Sequence, residues 1–360
     1  MSDEDTRESK ALDFCSALYL GLNHARRELP DWNRLTLGKP AALEEAPSAR
    51  RVAAELANLQ GCEQAVLGVS TLHLLWDWFG VVARTPSEIF VDAGAYPVAR
   101  WGAERALSLG APVHEFRHQD PSRLRWMLDR LNGRMTRRRR PIVVTDGMCP
   151  ACGASAPIDE YWQAVRKREG LLVIDDTQAL GIWGKRGGGS LHEAQLGRKE
   201  GVVVISSLAK AFGAPIAALS GSTSIVREFV ARSETRVHTS PPSLAHVAAA
   251  ARALSWNQLY GDRTRSRLDL LIQLFRRRMF EELGLLPTGG RFPVQSLCSM
   301  DGEAVHQSLR ERGIEALLLR ERRTHPGVRV SFLLRADHST HDIEAVADAI
   351  ASCKEALCLS

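Results

Sequence analysis

The chain has 360 residues, of which 44% are hydrophobic and 25% charged, and its formal net charge is +5. This composition is typical of a globular protein with a large packed core, and it contains no run of about 18 apolar residues that would predict a membrane helix. No basic stretch interleaved with aromatic residues predicts nucleic-acid binding. The polar, acidic N-terminal residues are unlike a signal peptide, so we predict a cytoplasmic protein without nucleic-acid or membrane partners.

Residues 1–50 form a mixed N-terminal arm with several prolines, and from residue 51 helices alternate with apolar strands. Helical periodicity predicts helices at 51–59, 71–82, 97–109, 121–131 and 160–168. Short apolar runs predict strands at 65–69, 88–91, 113–116, 142–145 and 171–174, and another that begins at residue 202. This alternation predicts an α/β fold, with a mainly parallel sheet covered on both faces in a large domain at 51–242.

The pattern changes after Pro241 and Pro242. A long helical stretch at 244–282 is followed by a predicted strand at 291–296, a helix at 303–312, a strand at 328–334 and a last helix at 340–356. We therefore predict a smaller α/β C-terminal domain at 243–360, joined to the large domain by the long helix.

Two local motifs, a cysteine pair and a run of arginines, do not require a functional interpretation. Seven scattered cysteines argue against a disulfide framework. Cys149 and Cys152 have the spacing of a zinc or redox pair, but no second Cys-x-x-Cys is present, so we interpret them as structural and predict no metal. The four arginines at 137–140 suit a solvated loop, with a phosphate or polyanion site as the alternative.

An acid and a lysine follow two of the predicted buried strands. Asp175 ends the strand Leu-Leu-Val-Ile (171–174), and Lys210 lies just past the stretch Val-Val-Val-Ile-Ser-Ser (202–207). Ligands of such sheets bind at the carboxyl ends of the strands. Pyridoxal 5'-phosphate (PLP) needs both residue types, because a lysine holds its aldehyde as a Schiff base and a carboxylate keeps its ring nitrogen protonated. The alternative for Lys210 is a solvated lysine in a turn.

Four blocks of the sequence resemble one family. Residues 172–189, Leu-Val-Ile-Asp-Asp-Thr-Gln-Ala-Leu-Gly-Ile-Trp-Gly-Lys-Arg-Gly-Gly-Gly, are similar to Asp-Glu-Ala-His-Ser-Leu-Gly-x-x-Gly-x-x-Gly-x-Gly of the PLP-dependent α-oxoamine synthases. Ser-Ser-Leu-Ala-Lys-Ala-Phe-Gly (206–213) resembles their Thr-Leu-Ser-Lys-Ala-Phe-Gly. Leu-Tyr-Leu-Gly-Leu (18–22) and the block at 146–158, which begins Asp-Gly-Met-Cys, resemble two further motifs. The resemblance implies the aspartate aminotransferase-like fold of PLP-dependent transferases, and a homodimer.

Four hydroxyl side chains are candidates for the cofactor phosphate. Ser70 and Thr71 lie where a predicted strand passes into a helix, whose N–H groups attract anions, although Ser70 could instead cap the helix. The resemblance places Ser207 at a threonine position that binds the phosphate. It also places Thr239, or Ser240, in a segment that reaches the phosphate across a dimer interface.

Two positions depart from the family pattern. Tyr96 stands where the family stacks a histidine on the pyridine ring, and an aromatic ring preserves stacking while losing an acid–base group. The alternative for Tyr96 is a turn residue before Pro97. Gln178 stands where a family histidine bonds the cofactor's phenolic oxygen, and an amide donates the same bond without carrying charge.

One arginine is a candidate substrate ligand. Arg329, in Gly-Val-Arg-Val-Ser (327–331), matches a family arginine that holds the α-carboxylate of the substrate. A guanidinium binds a planar carboxylate through two parallel hydrogen bonds. Arginine is abundant in this chain, so a surface salt bridge is the alternative.

Three functions remain open at this stage. The whole-chain resemblance favours decarboxylative condensation of an amino acid with an acyl thioester, with Lys210 and Asp175 as catalytic residues. Tyr96 and Gln178 favour an aminotransferase instead. The third hypothesis is a non-catalytic homologue that binds PLP, and the presence of both Lys210 and Asp175 argues against it.

Overall fold

A computed structural model describes residues 11–131, 139–196, 198–299, 301–321 and 327–353. Arg137, Arg138 and Cys358 lie outside these residues. The end of the predicted last helix also lies outside, but the helix already stops at Ala351. Within the described residues no helix combines the length and apolarity that a membrane span requires.

Helices and strands alternate through the first two thirds of the chain. The strands are β1 Leu12–Asp13, β2 Gln64–Gly68, β3 Ser87–Asp92, β4 Val113–Phe116, β5 Arg140–Asp146, β6 Leu171–Asp175, β7 Val202–Ser207, β8 Ala217–Gly221, β9 Val294–Ser299, β10 Ile314–Glu315, β11 Leu317–Glu321 and β12 Gly327–Leu333. The α-helices are α1 Pro47–Gln60, α2 Thr71–Val82, α3 Pro97–Ser108, α4 Pro121–Leu131, α5 Ile158–Arg166, α6 Ser190–Glu193, α7 Thr223–Arg232, α8 Glu234–His238, α9 Leu244–Leu283, α10 Gly302–Glu311 and α11 Thr340–Ala351.

The larger sheet has seven strands in the order β2-β8-β7-β6-β5-β3-β4. Strands β4, β3, β5, β6 and β7 are parallel to one another, and β8 runs antiparallel to both of its neighbours. Buried parallel strands read as continuous apolar runs, as in Val-Val-Val-Ile at the start of β7. The prediction of a mainly parallel sheet in an α/β fold is confirmed.

Helices α2, α3 and α7 cover one face of this sheet. Ser70 caps α2, and its hydroxyl accepts the His73 N–H. Leu75 and Phe79 of α2 are fully buried in a core that includes Val144 and Val173 of the sheet. Asp146 and Asp175 follow Val144 and Val173 by two positions and so point to this same face. The helical layer therefore borders the face that carries both acids.

The chain divides into two compact units. The larger comprises Leu22–Cys149 and Ser155–Asp262 and contains the seven-stranded sheet. The smaller combines the described residues up to Gly21, the segment Pro150–Ala154 and the described residues from Arg263 onward. The sequence-based boundaries at residues 50 and 242 stay a prediction.

The smaller unit has its own sheet and core. Strands β11, β12 and β9 form an antiparallel sheet, and β1 pairs in parallel with β10. The fully buried ring of Phe14 packs edge-on against Phe332 of β12 and lies 4.4 Å from the ring of His338. The N-terminal segment is therefore an integral part of this unit.

Candidate active site

The candidate site lies where neighbouring parallel strands end. β5 ends at Asp146, β6 at Asp175 and β7 at Ser207. Asp146 and Asp175 are directly paired in the strand register. Side chains paired in this way project from the same face of a sheet. Three polar side chains thus lie at the carboxyl edge, where α/β sheets bind their ligands.

Asp175 is a buried carboxylate with defined partners. Its side chain is 7% exposed, and its Oδ1 accepts the Thr177 backbone N–H at 3.1 Å. Burial raises the pKa of Asp175, while hydrogen bonds from Thr177 and the positive charge of Lys210 act in the opposite direction. An anion held in this way suits a buried positive partner such as a protonated ring nitrogen.

Lys210 lies in the turn that follows β7 and is half-buried. Burial lowers the pKa of its ammonium group, and the negative charge of Asp175 opposes that shift. Backbone bonds hold the turn, since the Gly213 N–H donates to the Lys210 carbonyl at 3.2 Å and Leu208 N–H to Ile216 O at 2.9 Å. A lysine with a lowered pKa presents more of the neutral amine that attacks carbonyl carbon.

Thr177 connects the ends of β6 and β7 and was missed by the sequence analysis. Its Oγ1 accepts the Ser207 N–H at 3.0 Å, and its own N–H and hydroxyl bond Asp175. Threonine two positions after an acid often forms such local bonds, which is the signal available in the sequence. Thr177 fixes Asp175 relative to Ser207.

Tyr96 directly precedes α3, and its side chain is 50% exposed. Its backbone N–H donates to both carboxylate oxygens of Asp146, at 3.1 and 3.2 Å. The structure thereby brings Tyr96 to the strand edge that carries Asp146. Its stacking role stays a prediction, and Asp146 is a second residue that the sequence analysis did not select.

The other phosphate candidates already have local partners. Ser70 Oγ lies 2.8 Å from His73 Nδ1 as well as capping α2, and Thr71 is the first residue of that helix. Ser207 Oγ accepts the Ala209 N–H at 3.2 Å. Thr239 is exposed, and its hydroxyl donates to the Thr235 carbonyl at 2.7 Å. The capping role of Ser70 is observed, and the phosphate roles stay predictions.

Gln178 and Arg329 lie in different units. Gln178 is partly exposed in the turn after β6, two residues beyond Asp176. Arg329 lies on β12 of the smaller unit, where it is only 5% exposed and its Nη1 donates to the Ala151 carbonyl at 3.0 Å. A surface salt bridge therefore does not describe Arg329. Its binding of a substrate carboxylate stays a prediction.

These residues fit the requirements of PLP. The larger unit supplies a lysine with a lowered pKa, a buried carboxylate that interacts with it electrostatically, and a helix N-terminus at Ser70. The donor set consists of an amine, a carboxylate and hydroxyls, which match an aldehyde, a ring nitrogen and a phosphate respectively.

Known proteins resemble this chain over most of its length. The model of the family "Aminotransferase class I and II" matches residues 39–350. An 8-amino-7-oxononanoate synthase from Marinobacter nauticus is 30% identical over 253 residues, which cover 69% of this chain and 62% of that protein. The chain spans between 51% and 62% of the length of the first three curated relatives it matches.

Two solved structures share the fold. A serine palmitoyltransferase variant from S. paucimobilis, with a bound PLP–myriocin aldimine, has a TM-score of 0.83 at 16% identity and is matched over 95% of this chain and 87% of its own. An 8-amino-7-oxononanoate synthase from Francisella tularensis has a TM-score of 0.76 at 16% identity, over 95% and 97% of the two chains. Together with the lysine and acid at the strand edge, the match over residues 39–350 shows that this chain belongs to the aminotransferase class I and II family.

Proposed function

We propose that this protein is a PLP-dependent transferase that condenses an amino acid with an acyl thioester and releases carbon dioxide. The observation that carries this proposal is the electrostatic pair of Lys210 and the buried Asp175 at the strand edge. The named relatives, 8-amino-7-oxononanoate synthase and serine palmitoyltransferase, support the reaction class.

Each candidate residue has a defined task in this proposal. Lys210 and Asp175 hold the aldehyde and ring ends of PLP, and Gln178 and Tyr96 bind its ring. The phosphate is bound by hydroxyls and helix N–H groups of the set Ser70, Thr71, Ser207 and Thr239. When bound, PLP supplies an electron sink for the substrate Cα.

Proton transfer is the task of Lys210. Its Nζ accepts the proton from the substrate Cα, and burial, which lowers the pKa of the ammonium group, favours the neutral amine that this step requires. Asp175 keeps its negative charge against the ring nitrogen, aided by the Thr177 hydrogen bonds. By its resemblance to the family arginine, Arg329 orients the substrate carboxylate, which a guanidinium binds through two parallel hydrogen bonds.

The second candidate function is an aminotransferase. Tyr96 and Gln178 favour it, because neither side chain supplies the imidazole that the α-oxoamine synthase motifs place at these positions. In this case the substrate amino group would be transferred by way of the cofactor to an acceptor keto acid, with Lys210 moving the proton, and the substrate would leave as a keto acid.

An absorbance scan of the purified protein tests the cofactor assignment. We expect a visible band after PLP addition that is absent in Lys210→Ala and retained in Lys185→Ala, which changes an exposed lysine. Free thiol and carbon dioxide that appear only with an acyl thioester would establish the condensation. A keto acid formed without thioester would establish the aminotransferase, and the absence of a band would contradict both.

We also propose a homodimer in the cytoplasm. The support for the dimer is the resemblance of the Thr239 segment to one that contributes across a dimer interface, together with the exposure of Thr239. Light scattering coupled to size-exclusion chromatography measures the mass, and a monomer that binds PLP fully would contradict the dimer.

A further inference from the structure

Three aspartates are the last residues of parallel strands in the larger sheet, and two of them have several stabilising partners. Asp92, at the end of β3, lies 2.6 Å from His118 Nδ1 and accepts the Gln119 N–H and the Tyr161 hydroxyl. Asp175 has Thr177 and the positive charge of Lys210. Both buried carboxylates therefore have hydrogen-bond donors close by.

Asp146 ends β5, the strand between β3 and β6, and its carboxylate has fewer stabilising partners. It is 8% exposed, and both of its carboxylate oxygens accept the Tyr96 N–H. Among the ion pairs of the described residues, none joins Asp146 to a lysine or an arginine. Burial first, and then the negative charges of Asp175 and Asp92, raise its pKa well above the ordinary value, against the opposing effects of the Tyr96 N–H and His118.

The geometry explains why one carboxyl of the pair must be neutral. Asp146 and Asp175 are paired in register on adjacent parallel strands, so their side chains leave the same face of the sheet. Two buried carboxylates in this arrangement repel each other, and a proton on one of them relieves the repulsion. The charge of Lys210 and the hydrogen bonds from Thr177 favour the anion at Asp175, which points to Asp146 as the member that carries the proton.

We propose that Asp146 is a positioning residue of the PLP site, one that carries a proton beside Asp175 and fixes Tyr96 through its backbone N–H. Only the expected effect on the cofactor rests on the proposed function; the proton on Asp146 and its bond to Tyr96 do not. A neutral Asp146 leaves Asp175 as the single anion available to the ring nitrogen, and the bond to Tyr96 fixes the start of α3.

Two substitutions separate this role from a purely structural one. Asparagine has the shape of a protonated aspartate and keeps a carbonyl oxygen for the Tyr96 N–H, whereas alanine removes both functions. We expect Asp146→Asn to keep the hydrogen-exchange protection of the Tyr96 amide in the PLP-free protein. Asp146→Ala should exchange at least about 10-fold faster, the size of one lost hydrogen bond. Asp77→Asn, which changes a buried acid bonded to Thr235, is the control and should leave Tyr96 protected.

The proton is tested separately by infrared absorption of the PLP-free protein. Asp146→Asn should remove one protonated-carboxyl band at neutral pH. In the PLP-loaded protein, the pH midpoint of the visible band should be the same in Asp146→Asn and the wild type. If Asp146 were ionised, removing its negative charge would lower that midpoint, because a nearby anion favours the protonated form of the lysine–cofactor linkage.

These measurements keep the two proposals apart. A wild type that binds no PLP would overturn the proposed function, while the exchange and infrared results would still decide the role of Asp146. An unchanged carboxyl spectrum in Asp146→Asn, or a lowered midpoint, would overturn its protonation. Unchanged exchange in Asp146→Ala would overturn its positioning of Tyr96. If the alanine variant does not fold, the asparagine results alone remain decisive.

Discussion

Asp175 and Asp176 are adjacent in sequence, but their carboxyl groups have different surroundings. Asp176 is fully buried and accepts the Ser190 N–H at 3.0 Å as well as the Ser190 hydroxyl. A Cβ on Gly189, whose φ is +91°, would come within 1.9 Å of Asp176 Oδ2. Glycine at 189 is therefore required both by its backbone and by the packed carboxyl group, and Asp176 is a structural residue.

The titration of Asp176 gives a pH-dependent stability. Burial raises its pKa from 3.8 to about 7 in the folded protein. Between pH 3.8 and about 7, Asp176 is ionised in the unfolded chain but still protonated in the folded protein. The free energy of unfolding therefore falls as the pH rises through this range. The slope from one such group is at most about 1.4 kcal/mol per pH unit. Urea unfolding of the PLP-free protein at several pH values measures it.

Asp176→Asn isolates that contribution, because an amide keeps an acceptor for Ser190 and does not titrate. We expect its unfolding free energy to fall less steeply with pH than that of the wild type. Asp146 and Asp175, whose pKa values are also raised, remain in both proteins and cancel in the comparison. Parallel curves for the two proteins would show that Asp176 is ionised when folded.

At the level of elements, Thr177 joins β6 to β7. Thr177→Val keeps the shape of the side chain but leaves the Ser207 N–H without its acceptor and removes the hydroxyl donor of Asp175, which keeps only the backbone N–H of residue 177. We expect the free energy of unfolding to fall by about 1–3 kcal/mol and PLP to bind more weakly. Thr177→Ser should recover most of both losses. An unaffected valine variant together with a destabilised serine variant would assign the role of Thr177 to its methyl group.

Helices and strands could be predicted where the local sequence carries a clear capping or periodicity signal. Helix α2 was predicted with its observed bounds, because Ser70 is a capping residue and the apolar periodicity is regular. Strand β8 was missed, since Ala-Ala-Leu-Ser-Gly has no β-branched residue and becomes a strand through pairing with β2 and β7. The strand predicted at 291–296 lies at Val294–Ser299, beyond the turn that Gly289 and Gly290 form.

The sequence predicted those residues of the candidate site whose type, at a strand end, indicates one particular chemistry. Lys210 and Asp175 stood out because a lysine and an acid at strand ends match a cofactor that needs both. The bonds from Thr177 to Ser207 and from Tyr96 to Asp146 join residues 30 and 50 positions apart. Only the strand register brings them together. Arg329 illustrates the same limit, since its partner Ala151 is distant in sequence.

At the scale of the whole molecule, the N-terminal segment completes the smaller unit. Phe14 is fully buried there, and Asp13 forms an ion pair with Arg335. Phe14→Ala should lower the free energy of unfolding by about 3–5 kcal/mol, measured by urea unfolding. The matched control is Phe280→Ala, which removes the same side chain from a 57% exposed position in that unit. Similar losses in both variants would contradict the packing role of Phe14.

The pairing of Leu12 with Ile314 also constrains the order of events during protein synthesis. Leu12 precedes the whole of the larger unit in the chain, whereas its partner Ile314 follows that unit and is therefore synthesised much later. The larger unit, from Leu22 to Asp262, can complete its sheet in the meantime. Phe14 then stays uncovered until β10 and β12 have been synthesised, so the nascent chain carries an exposed apolar segment that chaperones can recognise.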